Sequence, residues 1–187
     1  MKINVNELKD IAPKLKAGDK VELSGYVYTA RDAAHKRIAQ LIKENKPLPF
    51  TIENAVIYYA GPTGTKEGMV IGSCGPTTSG RMDIYTPQLL DMGLAGIMGK
   101  GERNAAVEEA LIRNKAVYFC AVGGAGALAC KCIKSCEVIA FENLGCESVK
   151  KLYIENFPLT VTIDCHVGNI FKSGREQFDR RKEAVPV

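Results

Sequence analysis

Gly72-Ser73-Cys74-Gly75-Pro76-Thr77-Thr78-Ser79-Gly80-Arg81-Met82-Asp83 sets hydroxyls, an arginine and a carboxylate among glycines, directly after the apolar run Met69-Val70-Ile71. A strand ending in such a turn and leading into a helix presents backbone N–H groups and short side chains to an anion. Arg81 adds a rigid, two-pronged donor suited to a carboxylate or phosphate. The segment reads as an anion-binding catalytic turn. A strand over residues 68–73 is predicted before it.

Working upstream, residues 54–60 read as a further strand, joined to the 68–73 run by a turn at Gly61-Pro62-Thr63-Gly64. Residues 19–28 alternate apolar and polar at period two, the pattern of a half-buried strand. A helix over residues 31–45 is predicted, with Thr29 as its cap, Ala34, Ile38, Leu41 and Ile42 on one face, and Pro47 and Pro49 beyond its end.

Downstream, Thr86-Pro87 opens a short helix that Gly93 closes. Residues 94–98 and 116–122 read as strands, residues 104–114 as a helix between them. A strand over 138–141, a helix over 147–156 and a strand over 159–164 complete the pattern. From Lys172 the chain is a polar tail, expected to wrap the surface or a partner. Alternating short strands and helices predict an α/β fold with parallel pairs in the second half; the first half is richer in strands suited to antiparallel pairing, giving a mixed sheet or two stacked sheets.

The chain has 187 residues, 46% apolar and 25% charged, enough for one domain with a substantial core. Its net charge is +4, without a basic stripe interleaved with aromatics and without tryptophan, so nucleic-acid binding is not expected. No apolar run reaches the roughly 20 residues that span a bilayer. The N-terminus does not resemble a signal peptide, and a cytoplasmic location is expected. Seven cysteines lie largely in apolar runs, as reduced thiols do. Cys130, Cys132 and Cys136 invite a metal reading, but their spacing matches neither zinc nor ferredoxin patterns.

Three turns follow predicted strands: residues 74–81, 99–103 and 123–126. In open α/β sheets ligands collect beyond the carboxyl ends of strands, where such turns gather. Together with Arg31-Asp32-Ala33-Ala34-His35, they would assemble a pocket with Arg31, Arg81 and Lys100, suited to a dicarboxylate. Gly123-Gly124-Ala125-Gly126 is better explained by close helix–strand packing than by a ligand, and His166 reads as a partly buried, satisfied histidine.

Gly75 to Asp83, with Tyr28-Thr29-Ala30-Arg31-Asp32-Ala33-Ala34-His35 upstream and Gly99-Lys100-Gly101 downstream, resembles the beta subunit of class I fumarate hydratase. The beta subunit of L-tartrate dehydratase is its close relative, and both resemble the C-terminal domain of single-chain class I fumarases. The resemblance covers nearly the whole chain. It implies one swivelling β/β/α three-layer domain with a mixed sheet over residues 1–187, with 172–187 as a polar tail. It implies reversible hydration of fumarate to (S)-malate, with dehydration of tartrate to oxaloacetate as the alternative. A [4Fe-4S] cluster would be carried by an alpha subunit and none by this chain, in a hetero-oligomer of two alpha and two beta chains.

Carried over residue by residue, the resemblance makes Thr77 the base and Arg31, Arg81 and Lys100 the carboxylate clamps. Asp32, His35 and Asp83 are expected to support them. A noncatalytic dicarboxylate-binding module is the competing reading; it would need the cations but not the Thr77 hydroxyl.

Overall fold

A computed structural model describes residues 1–179. Its strands are β1 (Lys2–Asn4), β2 (Lys20–Thr29), β3 (Val56–Tyr58), β4 (Gly96–Gly99), β5 (Val117–Cys120), β6 (Ile133–Ala140) and β7 (Val149–Ile163). The α-helices are α1 (Leu8–Ile11), α2 (Asp32–Lys43), α3 (Thr86–Asp91), α4 (Ala105–Arg113), α5 (Gly126–Ala129) and α6 (Ile170–Phe178). Among the described residues no helix is long and apolar enough to cross a membrane.

The fold is α/β with a mixed seven-stranded sheet in the order β1-β2-β3-β4-β5-β7-β6. Neighbours from β1 to β5 are all parallel, whereas β7 runs antiparallel to β2, β5 and β6. Parallel pairs therefore fill the first part of the chain and antiparallel pairs its end, the reverse of the predicted order. β7 is 15 residues long and pairs with β2 along one edge while reaching β5 near its far end. The pairings β2–β3–β4–β5–β7–β2 thus close a ring.

The period-two alternation of a strand sorts side chains onto the two faces of that ring. Val27, Val56, Tyr58, Met98, Val117, Phe119, Leu152 and Phe157 share one core, to which the N-terminal segment adds Val5, Leu8 and Leu15. Ile57, Tyr59, Ile97 and Tyr118 point the other way, against Ala34 and Ile38 of α2, Leu89 and Leu90 of α3, and Val107 and Leu111 of α4. A bulge between Leu23 and Gly25 bends β2 around the ring. Gly25 has φ +125°, and a Cβ there would stand 3.0 Å from Val5 Cβ.

Several predicted elements differ in the structure. Residues 147–156 are not a helix: Glu147 and Ser148 end a loop, and from Val149 the chain is the first half of β7, because Leu152 and Ile154 enter the core while Tyr153 and Lys151 face outward. Residues 68–73 form no strand: Met69 and Val70 are exposed, Gly68 turns with φ +77°, and Thr63 N–H donates to Ser73 O to close a loop. Thr29 does not cap α2. Arg31 occupies the cap position, and the Thr29 hydroxyl is buried between Ser148 O and Lys150 N. The polar tail begins as α6, whose Phe171 packs against the helix-side core; its remainder, residues 180–187, lies outside the described residues.

Candidate active site

Four parallel strands deliver the sequence-predicted residues to one end of the sheet. Beyond β2 comes Arg31, beyond β4 Lys100, and beyond β5 the 123–126 turn. Beyond β3, Tyr59 O accepts from Thr77 N (2.8 Å), and Ala60 bridges Pro76. The three glycine-rich turns interlock there. Cys74 N–H donates to Gly126 O (3.1 Å), and a Cβ on Gly126 would lie 2.5 Å from Ser73 Oγ, so the first and third turns touch only because that residue is glycine. Ser79 Oγ donates to Thr77 O (3.1 Å) and accepts from Lys100 N (2.9 Å), locking the first turn to the second.

The half-buried Thr77 hydroxyl accepts a hydrogen bond from Arg81 Nη2 at 2.9 Å. Behind Arg81, Asp32 Oδ1 lies 3.1 Å from Arg81 Nε, an ion contact without hydrogen-bond alignment. The other oxygen of Asp32 faces Arg31 Nη2 at 3.8 Å, and Glu147 Oε1 holds the same nitrogen at 3.1 Å. Asp32 therefore stands between the two arginines and links them. Arg31 Nε is buried and has no hydrogen-bond partner among the described residues. Lys100 joins the group through its backbone. Its exposed side chain lies along Gly123, and its ammonium makes no hydrogen bond or ion pair among the described residues.

Asp83 does not orient Arg81. It is buried against Arg103, with Nη1 to Oδ1 at 2.7 Å, and accepts Asn104 N–H at 2.9 Å. Burial lifts its carboxyl above the usual aspartate value, while Arg103 and the Asn104 N–H pull it back. Arg103 Nη2 reaches Lys100 O at 3.4 Å, so the pair underpins the lysine turn. His166 is exposed, its Nε2 2.6 Å from Pro13 O, away from this group. Cys130 and Cys132 sit in a single 3-10 turn and Cys136 on β6; among the described residues no three His, Cys, Asp or Glu side chains are placed to hold a metal.

His35 is fully buried beneath the site. Its Nδ1 lies 2.9 Å from Arg31 O, and its ring meets Tyr59 edge-on at 5.3 Å. Burial pulls its pKa down to about 4, opposed by the Arg31 carbonyl and by Asp32. The folded state therefore holds a neutral imidazole while the unfolded chain, near 6.5, takes up a proton as pH falls. More protons on the unfolded state means stability lost on acidification. Between pH 6.5 and 4 that loss is expected to approach roughly 3 kcal/mol. His35→Gln should flatten this slope in denaturant unfolding followed across that range; an unchanged slope would remove the assignment.

Glu147 and Lys150 were not anticipated, because the predicted helix over residues 147–156 hid them. The alternation of Leu152 and Ile154 with Tyr153 and Glu155 was the signal that could have exposed the strand.

Comparison with known proteins matches the description Fumarase C-terminus to residues 1–174. Over 178 residues the chain is 36% identical to the anaerobic class I fumarate hydratase of Escherichia coli K12, covering 92% of this chain and 32% of that protein. It is 30% identical to the L(+)-tartrate dehydratase subunit beta of Escherichia coli K12, over 98% of this chain and 90% of that one. A Methanocaldococcus jannaschii protein, provisionally named L(+)-tartrate dehydratase subunit beta, is 35% identical over 99% of both chains. The chain spans about a third of the length of the fumarate hydratases it matches. Motif order, the gathered turns and a match over nearly the full length agree: this chain belongs to the Fumarase C-terminus family.

Proposed function

We propose that the chain is the beta part of an iron–sulfur-dependent hydro-lyase that interconverts fumarate and (S)-malate, its active site shared with an alpha subunit. The observation that carries this is the guanidinium of Arg81 donating to the Thr77 hydroxyl, with Asp32 and Arg31 behind it. A binding module needs the cations; a hydroxyl aligned on one of them suits proton transfer. We also read the closed ring with helices over its outer face as the swivelling β/β/α domain.

The donor set of this chain is cationic and hydroxylic, fit for an anionic substrate and not for ligating iron. A [4Fe-4S] cluster would sit on the alpha subunit, in a complex of two alpha and two beta chains, and would supply Lewis acidity for departure of the substrate hydroxyl. This chain's residues would do the rest. Arg31 and Lys100 bind the carboxylates. Thr77, as an alkoxide stabilised by Arg81, removes the proton from the carbon beside the hydroxyl-bearing one. The resulting negative charge spreads onto the neighbouring carboxylate, where cations stabilise it more than in the substrate.

Dehydration of tartrate to oxaloacetate is the second reading. It is favoured by the end-to-end match to beta subunits of that name, against a one-third match to the fumarate hydratases. Anaerobic co-expression with an alpha chain, then assays on fumarate, (S)-malate and the tartrate stereoisomers, separates the two. The complex is expected to hydrate fumarate and this chain alone to be colourless and inactive. An inactive complex, or iron–sulfur absorbance in the lone chain, would overturn the proposal.

A further inference from the structure

Lys150 is buried, and its ammonium meets no carboxylate among the described residues. Its Nζ donates to Gly145 O (3.1 Å), Cys146 O (3.3 Å), Ser148 O (3.4 Å) and Ser148 Oγ (2.6 Å). Four oxygens from one short loop converge on a single cation, so the loop's backbone path is set by where Lys150 emerges from β7. The buried Thr29 hydroxyl reinforces this by bonding both Ser148 O and Lys150 N.

The loop so fixed carries Glu147, whose two oxygens do two tasks. Oε2 accepts Ala33 N–H at 3.1 Å, capping the first turn of α2, and Oε1 pairs with Arg31 at 3.1 Å. Across from it, Gly61 leaves the space that the Arg31 stem occupies. A Cβ there would come within 2.8 Å of Arg31 Cδ and 3.0 Å of Cys146 O. Arg31 is therefore held in a slot walled by Gly61 and by the loop that Lys150 gathers. An arginine carries much rotamer freedom, and binding is stronger when that freedom is lost before substrate arrives.

We propose that Glu147 and Lys150 are positioning residues for the substrate-binding Arg31, with Lys150 acting only through the 145–148 loop. This rests on the proposed function for the role of Arg31. Acting through Arg31 and not on substrate directly, both should affect substrate affinity more than the chemical step.

The test uses the alpha–beta complex. Glu147→Gln keeps an acceptor for Ala33 N–H but removes the charge facing Arg31, and is expected to raise KM for the dicarboxylate about tenfold while kcat stays within about threefold. Lys150→Met should raise KM in the same direction and speed amide hydrogen exchange at residues 142–148. The double variant should be no worse than the worse single one, since both act through one loop. Unchanged KM in Glu147→Gln overturns the proposal, and so does wild-type exchange protection of the loop in Lys150→Met. Should Lys150→Met fail to assemble, Glu147→Gln alone decides. The two readings fail separately: a wild-type complex without turnover defeats the proposed function, while exchange at residues 142–148 and at Ala33 reports on the loop in either case.

Discussion

Thr77→Ala in the assembled protein is expected to lower kcat roughly a thousandfold, within the range that positioned acid–base groups supply. The expected loss is confined to chemistry because of how the residue is built in. Its backbone N–H donates to Tyr59 O, and its carbonyl accepts from Ser79 Oγ; both bonds survive the substitution. Only the Arg81 contact to Oγ1 is lost, and Arg81 is exposed enough to find water instead. Arg31, Arg81 and Lys100 remain, so KM should shift far less than kcat. Thr77→Ser, which keeps the oxygen and drops one methyl, should recover a large part of the rate. Steady-state assays beside thermal unfolding check this. Turnover within tenfold of wild type, with the fold intact, would take the base role away from Thr77.

A threonine hydroxyl is a poor base in water; in the proposed role Arg81 would help, because it donates directly to the oxygen that would carry negative charge. Asp32 beside Arg81 works against this in charge but keeps the guanidinium in place.

The 75–83 turn was legible in the sequence because its chemistry is local: small residues, hydroxyls and a guanidinium within a few positions need no distant partner to be recognised. Arg31 and Lys100 were legible for the same reason, each beside a strand end. Glu147 and Lys150 were not, since their meaning depends on β7 crossing beside β2 over a separation of more than one hundred residues. In isolation, residues 147–156 place Val149, Leu152 and Tyr153 at helical spacing as readily as at strand spacing, and only the sheet partners decide. Met69-Val70-Ile71 misled in the opposite way. Three apolar residues read as a strand, yet two of them face solvent, because Gly68 and Gly72 let the chain fold back on residues 63 and 64. Asp83 is legible as a support for the cations, but not through which partner it acts: Arg103, twenty positions away, is the arginine buried with it.

Asp83→Ala is expected to have the largest effect on stability, about 3–5 kcal/mol, the usual range for breaking a buried ion pair from one side. The side chains of Arg103 and Asp83 are 1% and 8% exposed. Among the described residues Arg103 Nε already lacks a partner, so removal of the carboxylate would leave a desolvated guanidinium with, among those residues, the Lys100 carbonyl and the Tyr118 ring, 5.1 Å away. Burial lifts the Asp83 carboxyl against the pull of Arg103, and for a buried ion pair desolvation can cost as much as the attraction returns. Adding Arg103→Met to Asp83→Ala should therefore recover most of the lost stability, because the stranded charge goes with it. Function should not recover in step. Arg103 Nη2 to Lys100 O, Asp83 to Asn104 N–H and Tyr118 OH to Gly101 O together shape the turn that presents Lys100. The double variant, restored in denaturant unfolding, should keep a raised KM for the dicarboxylate and faster hydrogen exchange across residues 99–104. Asp83→Ala within 1 kcal/mol of wild type would show that water reaches Arg103. A double variant with normal KM would show that Lys100 needs no such support. A buried pair that stabilises little and orients much should move these two readouts apart, and that separation is what distinguishes the roles.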